Sequence, residues 1–429
     1  MRKWISTFAR GVIITCCSLL LVGTVVSASV EPHTSYMGNN EERAIAAPIV
    51  KPKWSLAYEG IAATGEGKAF YMQKGKVTAV NIQSGKKLWE YGSQLKAPLV
   101  YKEGLIYVNS GSGTVHAVHS ASGKKAWVTS TNTKPIDDLV VEGDQLFVLD
   151  GDITAYSIKS GKRQWRDNYN EFLPGKMLIH GEYIWMANEL SGACTYSLLH
   201  AFNRKTGKEV WNQPYYGLPI ALNDGTVTVQ KLANLFEPSP FTTLDTIDVR
   251  TGKVLRSVRY NPLHINFEKD EFDGDGKAWI SEGSVYVSLD SKVYRYPENA
   301  DPATTAPTVY TPEFVKEKTF DYAAGPYNGK LLFTDGRRIY GVKLANKTTV
   351  SYNDGVTGLI ARFDLIGRGM YAAQTDGTLS VIDLASTRPV LQIKTGSRVF
   401  GETLSESGMI VVQAEGKLLA FKEPASLRN

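Results

Sequence analysis

From about residue 52 onward the chain is a succession of short apolar runs separated by turn residues. Residues 97–129, APLVYKEGLIYVNSGSGTVHAVHSASGKKAWVT, show the pattern in one stretch. The runs LVY, LIYVNS, TVHAVH and KAWVT are rich in β-branched and aromatic side chains. They break at Glu103-Gly104, at Gly111 to Gly113 and at Ser122-Gly123. Runs of this length and composition, bounded by glycines, predict strands joined by tight turns. Four such strands make one small antiparallel sheet.

The unit recurs. AVNIQSGKKLWEYG at 79–92 returns as AVHSASGKKAWV at 117–128, AYSIKSGKRQWR at 155–166 and AFNRKTGKEVWN at 201–212. Its glycine falls at Gly85, Gly123, Gly161, Gly207 and Gly252, in steps of 38, 38, 46 and 45 residues. A period of this size with four short strands in it predicts the blades of a β-propeller. Within a unit the motif covers the third strand, a turn and the fourth strand. Gly123 supplies the positive φ of the turn, Ala117 is small where blades press together, and Trp127 fills the gap between twisted sheets. Trp89, Trp165 and Trp211 are expected to be buried in the same way.

Later copies decay. TIDVRTGKVLRSV at 246–258 has Arg256 in place of the Trp, VIDLASTRPVLQI at 381–393 loses both Gly and Trp, and GVKLANKTTVSY at 341–352 is weaker still. The ends complete each other. PKWSLAYEG at 52–60 reads as a fourth strand, with Trp54 as its Trp, and the last unit at 398–421 has three strands and no fourth. The expected fold is therefore all-β: a propeller of four-stranded blades over residues 51–424, its ring closed by the N-terminal strand. Nine units can be counted. Eight blades are expected, with the irregular region near 260–311 as the unit that does not form a standard blade.

The pattern A-x-[DN]-x-x-[ST]-G-K-x-x-W, carried best by Ala79, Asn81, Gly85, Lys86 and Trp89 and by Ala201, Asn203, Thr206, Gly207, Lys208 and Trp211, resembles the repeat of the PQQ-like, quinoprotein-type propellers. That family includes quinone-dependent alcohol dehydrogenases and the outer-membrane assembly lipoprotein BamB. The resemblance covers nearly the whole chain after residue 50. It is specific for fold and nearly silent on function, because the motif serves packing.

Arg2, Lys3 and Arg10 precede an apolar run from Gly11 to Val26 that ends in Val26-Ser27-Ala28. This reads as a signal peptide over residues 1–28, with an uncleaved anchor as the alternative. Residues 29–50 read as a flexible leader. No second apolar run is long enough to span a bilayer, so a secreted or extracytoplasmic chain with no membrane span in its mature part is expected. Thr15 before Cys16, and the apolar residues that follow Cys17, do not fit a lipid-attachment site, and no lipid anchor is expected. Beyond the signal only Cys194 remains, which excludes an internal disulfide. Removing the three N-terminal basic residues from a formal charge of +5 leaves +2. No basic stripe marks a nucleic-acid binder.

Little in the sequence points to catalysis. Lys86, Lys124, Lys162 and Lys208 follow glycines in hairpins, without the Ser or Thr and the helix of a phosphate loop. The dehydrogenases that the repeat resembles carry PQQ, a calcium and a vicinal disulfide. This chain has no Cys pair after the signal and no C-x-x-C-H haem site, so neither catalytic nor PQQ-binding residues are assigned. His116 and His119 face opposite sides of one strand. One segment has metal chemistry: EFDGDGKAWISE at 271–282 sets Glu271, Asp273, Asp275 and Glu282 at calcium-loop spacing around Gly276. Calcium is the ion such a loop would take, and a solvated acidic turn is the alternative.

The insertions carry more functional weight. Between second and third strands most units need only a tight turn. Two adjacent units instead have ELSGACTYS at 189–197 and KLANLFEPSPFTTL at 231–244. Leu235, Phe236 and Phe241 are apolar, on a loop stiffened by Pro238 and Pro240, as in a partner-binding patch. The competing expectation is that the loop packs on its own blade. The sequence thus favours a non-enzymatic binding or scaffold propeller, of the BamB-like branch, with an envelope protein or polymer as partner. The alternative is a quinone- or calcium-dependent enzyme with its site at the central channel.

Overall fold

The computed structural model describes residues 47–131, 135–167, 177–191, 195–234, 238–270, 276–289, 291–313 and 320–428. Within them the chain forms nine four-stranded antiparallel sheets, and its helix content is one 3-10 turn at Ala425–Leu427. Eight sheets are sequential meanders. Blades 1 to 8 span residues 59–91, 95–130, 138–167, 178–214, 221–260, 277–310, 321–351 and 360–394. Blade 9 takes three strands from residues 404–422 and its outer strand, Trp54–Ala57, from the other end of the chain. Trp54 stands opposite Ala420 and Ala57 opposite Lys417.

The blades number nine, as many as the repeat units that can be counted in the sequence, rather than the eight expected. The region near 275–311 is a full blade. Its Pro/Ala/Thr-rich connector makes turns, after which Thr308–Tyr310 resumes the ladder against Val293–Arg295. An excursion between two strands lengthens the unit without removing one. The last residues of the leader also have structure. Val50 N–H donates to Gln392 at 2.8 Å and Gln392 N–H to Pro48 at 2.9 Å, so the leader runs parallel to the outer edge of blade 8. That covers backbone groups which an edge strand would leave open.

Buried apolar side chains lie in layers between neighbouring blades rather than in one central core. The motif explains how the layers are locked. The Trp of one blade reaches the third-to-fourth-strand turn of the next, and its indole N–H donates to the carbonyl three residues before the turn glycine. The pairs are Trp54 to Ile82 at 2.7 Å, Trp89 to Ser120 at 3.0 Å, Trp127 to Ile158 at 2.7 Å, Trp165 to Arg204 at 2.9 Å and Trp211 to Val249 at 2.8 Å. The ring then lies flat on the glycine. A Cβ on Gly123 would sit 2.6 Å from the Trp89 ring, and the glycine's φ of 69° disfavours any other residue. Across the ladder from each Trp stands a fully buried Ala: Ala420, Ala79, Ala117, Ala155 and Ala201. Its small side chain leaves the indole room to lean towards the next blade. Trp54, Trp127, Trp165 and Trp211 are buried, and Trp89 is half-buried.

The decayed repeats keep the latch in another form. Tyr310 donates its hydroxyl to the carbonyl of Leu344 at 3.2 Å, and Tyr352 to that of Leu384 at 3.0 Å. Those carbonyls again lie three residues before the left-handed turn position, now Lys347 with φ 62° and Thr387 with φ 63°. A phenol is narrower than an indole, and a Cβ fits beside it.

Candidate partner-binding face

In each meander the first-to-second and third-to-fourth connections lie at one end of the strands, and the second-to-third and blade-to-blade connections at the other. The ring therefore has one face built of the repeat turns and an opposite face that is free to vary. Both insertions lie on this variable face. In blade 4 the insertion lengthens the hairpin: Tyr183–Ser191 and Thr195–Asn203 pair over nine residues each. In blade 5 it becomes a connection from 232 to 241 between Thr226–Lys231 and Thr242–Asp248.

The segment joining blades 4 and 5 ties the two insertions together. Tyr215 N–H donates to the Ser197 carbonyl at 2.6 Å, and Leu232 N–H donates to the Tyr215 carbonyl at 2.7 Å. The Tyr196 and Tyr215 rings lie 5.4 Å apart. Blade 5 is pinned on its other side as well. The Gln230 side-chain amide donates to Gly276 O at 2.5 Å, and Gly276 N–H donates to the Thr242 hydroxyl at 3.1 Å.

Below the blade 5 connection a cleft of about 490 Å³ opens, lined by Tyr216, Leu232, Pro238, Phe241, Phe267 and the outer-strand residues Val254, Ser257 and Arg259, together with Lys231, Thr243 and Asp245. Strand register orders its polar groups. One ladder row holds Val229, Asp245 and Ser257; the next row on the same face of the sheet, two residues along, holds Lys231, Thr243 and Arg259. Asp245 is 4% exposed, and its Oδ2 accepts the Tyr216 hydroxyl at 2.6 Å. Its Oδ1 is buried with no hydrogen-bond partner among the described residues.

The residues singled out from sequence fall in different places. Phe241 is half-buried and lines the cleft, with its N–H donating to the Ser239 hydroxyl at 3.1 Å. Leu235, Phe236 and Cys194 lie outside the described residues, as do Glu271, Asp273 and Asp275. Gly276 leads directly into the extended strand Lys277–Ser281, and Glu282 sits in the hairpin turn beyond it. At about 3.3 Å per residue the strand carries Glu282 about 20 Å from Gly276. No group of three His, Cys, Asp or Glu among the described residues is placed to hold a metal ion. His116 bonds the Tyr91 hydroxyl at 2.9 Å and the Thr114 hydroxyl at 3.0 Å. Burial, helped by Lys125, holds its imidazole below the ordinary value.

A second cavity, of about 550 Å³, lies between the first strands of blades 7 and 8, Asp321–Tyr327 and Ile360–Ile366. First strands line the central channel of a propeller. Asp364 there is held by the Arg362 guanidinium at 2.7 Å and by the Thr403 N–H at 2.9 Å. Among the described residues no helix is long and apolar enough to cross a membrane.

Nine four-stranded blades, five of whose interfaces are latched by an indole laid on a turn glycine, define the class: an all-β propeller of the quinoprotein repeat type. Within that class the chain belongs to the family described as outer membrane protein assembly factor BamB, whose model matches residues 73–299, more than half of the chain. It is similar to the outer membrane protein assembly factor BamB of Shewanella oneidensis, 22% identical over 158 residues, which are 32% of this chain and 38% of that one. It is also similar to the quinohemoprotein alcohol dehydrogenase of Comamonas testosteroni, 26% identical over 128 residues, 26% of this chain and 18% of the enzyme. The matched region thus spans well under half the length of either relative. The solved structure of BamB from Moraxella catarrhalis aligns with a TM-score of 0.48 at 13% identity, covering 87% of this chain and 100% of that one.

Proposed function

We propose that this chain is an exported, non-enzymatic propeller that holds a protein partner in the cell envelope through the face where blades 4 and 5 meet. The observation that carries the reading is the joining of two insertions, from neighbouring blades, through Tyr215. The other second-to-third connections are short, two residues in blade 1 and two in blade 9. Extra chain concentrated at one place on a rigid ring is where recognition belongs. A family described by an outer membrane assembly factor favours a polypeptide partner. The basic and apolar N-terminal segment favours export, and the residues around Cys16 and Cys17 favour a chain without a lipid anchor.

The alternative, a quinone- or calcium-dependent enzyme working at the channel, draws on the cavity between blades 7 and 8 and on the dehydrogenase relative. One experiment separates the two. The triple change Leu235→Ser, Phe236→Ser and Phe241→Ser is expected to abolish capture of the envelope partner while leaving the melting temperature nearly unchanged. Unfolding without a specific binding defect would show that the connection plugs its own blade. Saturable quenching of tryptophan fluorescence by PQQ would favour the channel enzyme.

A further inference from the structure

We propose that the cleft between blades 4 and 5 binds a zwitterion of the α-amino-acid class, its ammonium on Asp245 and its carboxylate on Arg259. This goes beyond the partner reading and does not depend on it. The first observation is the half-satisfied carboxylate. Asp245 is buried, Tyr216 satisfies one oxygen, and the other oxygen has no hydrogen-bond partner among the described residues although the residue lines an open cleft. Native folds rarely leave a buried carboxylate oxygen unmatched, and such an exception calls for an explanation. A donor that arrives with a ligand explains it here.

The second observation is the charge order. Lys231 and Arg259 flank Thr243 on the same face as Asp245, two residues along the strand and so about 7 Å away. Arg259 is exposed and makes no ion pair with a described residue. A simple cation would have to pass Arg259, and a simple anion would meet Asp245 at the floor. A dipolar ligand satisfies both. The ammonium and carboxylate of an amino acid lie about 3 Å apart, and contacts of about 2.8 Å at each end span the two rows. Phe241, Pro238 and Phe267 supply apolar surface for a side chain, and 490 Å³ is within the range of small-ligand pockets.

The test is calorimetric titration of the full chain with L-phenylalanine, its N-acetyl derivative, its amide and the dipeptide Gly-Phe. We expect L-phenylalanine to bind, and blocking either charged end, or parting the two charges by a further residue as in Gly-Phe, to weaken binding at least about tenfold. Gly-Phe binding as tightly as L-phenylalanine would contradict the charge spacing on which the proposal rests. Asp245→Asn should abolish the discrimination against the N-acetyl compound. Arg259→Gln, at an exposed position, should abolish the discrimination against the amide. Equal binding of blocked and free compounds, binding unchanged in both variants, or no heat up to about 10 mM with the protein folded would overturn the proposal.

Discussion

Replacing Trp54 with Ala should open the ring. The indole is 8% exposed, donates to the Ile82 carbonyl at 2.7 Å and covers Gly85. Truncating a buried Trp to Ala typically costs about 3–5 kcal/mol, and a net hydrogen bond of about 0.5–1.5 kcal/mol falls within that sum. Trp127 has the same surroundings, 9% exposed with a 2.7 Å bond to Ile158, so its change to Ala gives the local cost alone. Trp54 differs in standing on the four-residue strand that closes blade 9. Its loss should also free the edge of Lys417–Lys422. The assay is guanidinium unfolding combined with native-state hydrogen exchange. Both variants should lose about 3–5 kcal/mol, and only Trp54→Ala should lose exchange protection at Leu418 to Phe421. Trp54→Tyr should recover part of the loss, because Tyr310 and Tyr352 already reach the equivalent carbonyls. A loss below about 1 kcal/mol for Trp54→Ala, or unchanged protection in blade 9, would refute the closure argument.

Thr387 holds a left-handed φ of 63° where the better repeats have glycine; Thr387→Gly should stabilise the fold by about 0.5–1 kcal/mol, read from the denaturation midpoint. The imidazole of His116 is held below its ordinary value by burial and Lys125. The folded state therefore disfavours its protonation. The associated stability is complete above about pH 6.5, the ordinary value, and is lost as pH falls below it. His116→Gln should flatten that part of the pH–stability curve. With Glu282 a whole strand from Gly276, the melting temperature should be the same in EDTA and in excess calcium; a rise with calcium would show a bound ion.

The repeat was legible because packing writes it. Gly85, Ala79 and Trp89 each answer a separate steric demand that recurs at every interface, so they stand out at fixed offsets. Ring closure was legible for the same reason, since Trp54 without three preceding strands has one place to go. The blade count was less so. Blades 6 to 8 exchange Trp for Tyr310 and Tyr352, and Gly for Lys347 and Thr387, which keeps the contact and hides the pattern. The cleft was not read at all. Its signal is one position: Thr78, His116, Thr154 and His200 stand three residues before the third-strand Asn81, His119, Ser157 and Asn203, and blade 5 has Asp245 there, three before Asp248. A carboxylate in a row of neutral-capable side chains facing the preceding blade is a visible departure. Its partner Tyr216 lies in a connection with no repeat to align it.

The central claim, that the face at blades 4 and 5 holds a polypeptide partner, is tested most directly by site-specific photocrosslinking in the cell. A photoreactive residue at Phe241 is compared with one at Lys124 in the repeat-turn face. The account predicts one discrete adduct from position 241 and none from position 124. No adduct from 241, or the same adducts from both faces, would contradict it.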